Sequence, residues 1–194
     1  MKLSPSKLPL SKLSLSEDQQ AEMRHAHYDG APGIFVSGMV WITAAFVCNL
    51  VGINQAVWTL LIGGALIHPI TIIVTKILGR SAKTHKANAL NQLAIASTIW
   101  LILCCAMAYG LFLLKQELFF PVMMATIGCR YLIFASIFGR FVFWIMGASL
   151  IVAANIIFFS GGAPLVGAAV GGLIEVIFAL FVFSKAPIPT ISKA

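Results

Sequence analysis

The sequence predicts an all-α protein: a polytopic membrane bundle of six transmembrane helices, both termini cytoplasmic, with a short amphipathic helix before the first span. Three observations predict it. The 194 residues are 60% hydrophobic and only 10% charged, with mean hydropathy +0.97, whereas soluble domains are about one-quarter charged. Six apolar stretches follow one another, each of about twenty residues, enough at ~1.5 Å rise per residue to cross a ~30 Å hydrocarbon core. The basic residues gather at one side of those stretches.

Residues 1–16 form a tail in which KLSPS, KLPLS and KLSLS repeat in succession. A period of five matches neither helix nor strand, and Pro5 and Pro9 oppose both, so this Lys/Ser/Leu tail is expected to be disordered. It has no continuous apolar run and is not a secretory signal. Lys2, Lys7 and Lys12 place charge where anionic headgroups lie, but a plainly solvated tail is the simpler reading and is the one expected. Residues 17–30 read as the juxtamembrane helix. Ser16 with Gln19 resembles a capping box, Glu17 and Asp18 suit a first turn, and Gly30 with Pro32 ends the helix. His25 and His27 fall on different helix faces, which argues against a metal site there.

The spans are placed at Gly33–Ile53, Ala56–Ile77, Ala89–Leu114, Leu118–Phe138, Phe141–Phe159 and Ala163–Phe183, together the transmembrane domain 33–184. Short connections make sequential helices antiparallel neighbours. Asn54–Gln55 and Ser160–Gly162 read as tight turns, and 78–88 is the one loop of any length. Residues 185–194 are a cytoplasmic tail. Eleven of the 13 Lys and Arg lie on one side: at the amino terminus, at Lys76 and in the 78–88 loop that follows it, in the 139–140 turn and at the carboxyl terminus. Lys115 is on the other side and Arg130 lies within a span. The positive-inside rule then makes both termini cytoplasmic, in a multi-pass protein of the cell (inner) membrane. The net charge of +7 is thereby a topological signal, and nucleic acid is not an expected partner.

Inside the spans stand Arg130, Glu175 and His68. An arginine at mid-depth costs roughly 2.5 to 3.5 kcal/mol on insertion scales, so it is expected to face protein or water. Each of the three lies twelve residues from the start of its span, and the three spans run in the same direction, so they share a depth. Together they make the candidate site for a small anionic solute or protons. Thr71 shares the His68 face with Gly64 and Thr75, and Tyr131 adjoins Arg130. Ala163, Gly167, Gly171 and Glu175 recur every fourth residue, a small-residue ridge at which Gly167 and Gly171 serve helix packing. Pro69 frees a carbonyl near Ala65, so a polar cavity beside His68, reaching toward Arg130, is expected.

A bland account competes with this one. Arg130 and Glu175 make a static ion pair that fixes packing, with His68 hydrogen-bonded nearby. Asn49, Tyr131 and Asn155 then serve only as helix–helix hydrogen bonds. Cys48, Cys104, Cys105 and Cys129 all lie in apolar segments without metal-ligand spacing and read as packing residues. No HExxH, G-x-S-x-G or Walker motif is present, and one intramembrane histidine does not supply bis-histidine haem ligation. No enzyme activity, metal or cofactor is expected.

The stretches PITIIVTKILGR (69–80), NALNQLA (88–94) and ELFFPVMMATIGCRYLIFASIFGR (117–140) resemble a family of small bacterial multi-pass membrane proteins known only as a domain of unknown function. The resemblance runs over much of Gly33–Phe183 and implies a membrane location and a helical bundle, with no activity attached. Where that family has a histidine–aromatic pair, this chain has Arg130–Tyr131. The expected function is a small proton-coupled or anion-attracting transporter or channel-like bundle, with Glu175 or His68 carrying the proton. The alternative is a non-catalytic interaction or assembly subunit. The lipid bilayer is the certain partner in either case, and a homo-oligomer fits both.

Overall fold

Among the described residues the chain forms seven α-helices, six apolar ones after a polar first, and most of the turns between them contain glycine. The computed structural model describes residues 10–85 and 88–185, with side chains from Ser16 onward. The helices are α1 (Leu10–His27), α2 (Ala31–Leu50), α3 (Ile53–Ile77), α4 (Ala89–Leu114), α5 (Phe119–Phe138), α6 (Val142–Ser160) and α7 (Pro164–Lys185). Short 3-10 turns at Tyr28–Gly30 and Gln116–Leu118 precede α2 and α5. There is no strand among the described residues. Six helices are long and apolar enough to span a membrane, α2 to α7. Six spans return the chain to the side on which it starts. That side, with the 78–88 loop and the α5–α6 turn, is the basic end of the bundle.

The expected boundaries agree to within a few residues, with two differences. The first helix begins at Leu10 rather than near Ser16, while residues 1–9 of the repeat tail and 186–194 of the carboxyl tail lie outside the described residues. The α2–α3 turn falls on Val51–Gly52, not Asn54–Gln55. Gly52 has φ +139°, a conformation a side chain resists, so the glycine fixes the reversal and Asn54 and Gln55 join the first turn of α3.

Close packing is concentrated in three helix pairs, α2–α7, α5–α6 and α2–α3. The α2–α7 pair meets through small residues: a Cβ on Gly38 would lie 2.8 Å from Val176 Cγ2, and one on Gly171 would lie 2.8 Å from the Trp41 ring. In the α5–α6 pair, a Cβ on Gly128 would lie 2.8 Å from the Gly147 carbonyl oxygen. Such backbone approach is how spans associate without a hydrophobic drive between helices. Glu175, Gly171 and Gly172 are all buried on α7. Gly167, also buried, faces Phe120 of α5, so the predicted ridge packs against two helices in turn. The α3 and α4 helices are the least buried spans, at 11% and 17%. Contrary to the expectation that all sequential helices pair, they do not pack along their lengths; the Trp58 and Tyr109 rings meet at 5.5 Å near the end opposite the basic one.

The juxtamembrane helix is built into the basic end. Met23 and Ala26 turn inward while Glu17, Asp18, Ala21 and His25 are exposed, which makes α1 amphipathic as expected. Arg24 Nη1 donates to the Phe138 carbonyl at 2.7 Å and Gln20 Nε2 to that of Ser136 at 2.8 Å, satisfying orphan carbonyls at the end of α5. The Glu22 carboxylate accepts from the His85 backbone N–H and from Asn88 Nδ2. Asn88 Oδ1 in turn caps α4 at the Leu90 N–H, 3.0 Å away. Tyr28, Asp29 and Gly30 all have positive φ, and the buried Asp29 is held by Arg140 Nε at 3.1 Å.

Candidate functional site

The intramembrane polar groups divide into two sets. Glu175 is completely buried on α7. Its Oε1 accepts from the Tyr131 hydroxyl of α5 at 2.8 Å, and Ser37 of α2 lies beside both groups. Its Oε2 has no hydrogen-bond donor among the described residues. Three helices therefore meet at one carboxyl group: α2 approaches through Gly38, whose Cβ would lie 3.1 Å from Glu175 Cβ. The Tyr131 ring is pinned by Phe143, stacked at 6.3 Å, and by Phe134, edge-on at 5.8 Å. The hydroxyl is thus aimed by packing rather than by its own flexibility.

Arg130 belongs to the second set. Consecutive helix residues point ~100° apart, so with Tyr131 turned to α7, Arg130 turns to α4. Its Nη2 donates to Thr98 Oγ1 at 3.0 Å, and its guanidinium lies 5.2 Å from the centre of the Phe134 ring. Nε has no acceptor among the described residues. No ion pair joins Arg130 to Glu175; among the described residues the salt bridges are Lys115–Glu117 and Asp29–Arg140, both at helix ends. The two groups remain electrostatic neighbours without touching. The bland expectation of a contact ion pair is corrected accordingly: Tyr131, not Arg130, satisfies the carboxyl.

His68 is exposed on α3 and forms no contact with either group. Its electrostatic influence falls on His27, at the end of α1. The depth argument still describes where these residues sit. His68 is nine residues from the basic end of α3, Arg130 eight from that of α5, and Glu175 ten from that of α7. Thr71 lies near Gly33, and its hydroxyl, like the buried Thr75 and Ser97 hydroxyls, has no partner among the described residues.

Two concavities of the bundle lie away from His68, the site expected to hold a polar cavity. One is an open apolar groove of about 770 Å³ along α6, lined by residues such as Trp144, Val152 and Ile156. The other is about 80 Å³, between α5 and α6 around Asn155. No three His, Cys, Asp or Glu side chains cluster to hold a metal among the described residues. Sequence reasoning missed Ser37, a serine in an apolar run with nothing to mark it. It also missed the Glu22–Asn88 contact, which spans 66 residues of sequence.

Two comparisons find no match, neither a curated protein nor a solved structure. A family model described as "Family of unknown function (DUF7010)" matches residues 16–185. The matched region begins within α1 and ends at the last residue of α7, so the basic-end cap is included with the six spans.

Proposed function

We propose, on the premise that the chain belongs to DUF7010, a family of unknown function, that its bundle is a small proton-coupled carrier for an anionic solute. One observation carries the reading: Glu175 is fully buried between three spans, with Tyr131 and Ser37 as its neutral polar neighbours, no cation in contact and one oxygen unpartnered among the described residues. An ionised carboxylate is costly to hold in that setting without a cation, and ionisable groups persist in spans mainly where protons or solutes move. Glu175 is the proton carrier, Tyr131 holds its carboxyl in position, and Arg130 supplies the positive charge that draws the anion. His68, set apart on α3, is not the relay between them. Both termini are cytoplasmic in this reading, in a multi-pass protein of the cell membrane, and no bond is made or broken by the protein.

A second reading rests on the close helix packing at Gly38 and Gly171, which brings α2 against the backbone and Cβ of Glu175 and its neighbours. Here Glu175 and Tyr131 form a static helix-to-helix hydrogen bond in an assembly subunit, alone or as a homo-oligomer. Purified protein in vesicles loaded with a pH-sensitive dye separates the two. Anion-dependent proton movement in the wild type, lost in Glu175→Gln, supports the carrier. A wild type that stays silent across a panel of carboxylate and phosphate solutes sinks it and leaves the static reading.

A further inference from the structure

Val57 and Thr75 of α3 are eighteen residues apart, which is about five helical turns, and so point in the same direction. Both are completely buried. Gly64 and His68 lie within about 20° of that direction, yet both are exposed, and a Cβ added to Gly64 would meet nothing within 4 Å. One stripe of one helix is therefore covered at both ends and bare in the middle.

The facing flank of α4 repeats the pattern. Tyr109 touches Trp58 of α3 at 5.5 Å. Asn91, about five turns earlier on the same line, bonds Thr84 Oγ1 at 2.7 Å and the His85 carbonyl at 3.1 Å, both in the loop that connects α3 to α4. Between them on that line Thr98 and Ile102 are exposed. The two helices thus frame a window, shut at one end by Trp58 and Tyr109 and at the basic end by residues 78–85 and α1. Behind its α4 edge sits the Arg130 guanidinium, bonded to Thr98 and to no carboxylate among the described residues.

We infer that this window admits an amphiphile with an anionic headgroup from the bilayer, and that Arg130 and Thr98 receive the headgroup. The charge at the window is positive, and arginine pairs with carboxylate and phosphate through the same fork of N–H donors. The opening faces sideways at mid-span, where water-borne solutes are scarce and lipid chains are not. Exposed apolar side chains border it on the α4 side, Ile95 and Ile102, and give the tail a surface to lie on. The inference assigns an amphiphilic identity to the anion of the proposed transport cycle. It rests on that cycle only for the steps after binding.

The test uses the full chain in phosphatidylcholine vesicles with three spin-labelled probes: stearate, phosphatidate and phosphatidylcholine. Electron paramagnetic resonance gives the motionally restricted fraction of each. The wild type is expected to retain one or both anionic probes over phosphatidylcholine, and the better-retained probe names the headgroup. Arg130→Gln should lower that preference about tenfold, toward the phosphatidylcholine level. Gly64→Leu, whose side chain enters open space, should block the window with Arg130 intact and the fold undisturbed. Equal retention of all three probes by the wild type, or a preference unchanged in Gly64→Leu, overturns the inference. So does a disulfide-linked dimer formed by Gly64→Cys in vesicles, because a second copy then covers the opening. Glu175→Gln should keep the retention while losing proton movement. Proton movement driven by water-soluble anions without amphiphile retention would leave the carrier standing and remove the window.

Discussion

Tyr131 and Arg130 are adjacent in sequence and serve different neighbours of α5. The tyrosine donates to Glu175 on α7 at 2.8 Å, and the arginine to Thr98 on α4 at 3.0 Å. The arginine and the carboxylate that the sequence brings to one depth are thereby held apart by the residue between them. Coupling in the core should track the hydrogen bond and not the charges. Tyr131→Phe removes the 2.8 Å hydrogen bond from a buried carboxyl, leaving Ser37 beside it, and should cost about 1–3 kcal/mol. A double-mutant cycle on Tyr131→Phe and Glu175→Ala, read from melting in detergent, should give a coupling of about 0.5–3 kcal/mol. The Arg130→Ala, Glu175→Ala cycle should give a smaller one. The opposite order would mean that the arginine is the true partner.

The spans are legible in the sequence because hydropathy marks a membrane helix without any knowledge of its neighbours. Even the depth of Arg130, Glu175 and His68 comes from counting. What counting does not supply is azimuth against a partner. Gly64, His68, Thr71 and Thr75 do form one face, and Thr75 is buried. His68 is exposed because α4 stands away at that level, a fact about the α3–α4 spacing and not about α3. Short connections imply that every consecutive pair packs, yet the 78–88 loop and α1 occupy the basic end where α3 and α4 would otherwise close. The Ser37 contribution has no sequence signal, since one hydroxyl in a span usually bonds its own helix, as Thr43 does to the Met39 carbonyl at 2.8 Å.

The glycines give a sharp contrast between packed and open faces. Gly171→Ala should lower stability by about 1–3 kcal/mol, because its Cβ would meet three Trp41 ring atoms at 2.8 to 3.2 Å and Trp41 is itself only 1% exposed. Gly64→Ala places its methyl in open space and should be neutral, or stabilising by up to about 1 kcal/mol through helix propensity. Melting temperatures of the two variants in one detergent decide the matter. A loss at Gly64 comparable to that at Gly171 would show that α4 or another chain closes over it.

The cap formed by α1 should respond to acid. Hydrogen bonds from the His85 backbone N–H, then from Asn88, hold the Glu22 carboxyl below its ordinary 4.5. A carboxyl whose folded value is depressed contributes stability that is present above the unfolded value and disappears as pH falls through the folded one. Protection of the His85 amide from hydrogen exchange, relative to its intrinsic rate, should be constant above pH 4.5 and decline below it. Glu22→Gln should show weaker protection with no such decline. An unchanged profile in the variant would place the amide's acceptor elsewhere.

Orientation is the remaining expectation, and it rests on charge alone. The basic end carries residues 78–85, the α5–α6 turn, α1 and the last turn of α7, whereas the opposite end offers Lys115, already paired with Glu117 at 3.0 Å. Lysine and arginine resist translocation across the membrane, so the end that collects them stays cytoplasmic. Single cysteines are introduced at Gln116 and Lys83 after Cys48, Cys104, Cys105 and Cys129 have been replaced. An impermeant maleimide added to intact cells should label position 116 and leave position 83 unlabelled until the cells are opened. Labelling of 83 and protection of 116 would invert the bundle. Inversion would also put α1 and its Glu22–Asn88 lock on the outer face, where acid outside the cell reaches them directly.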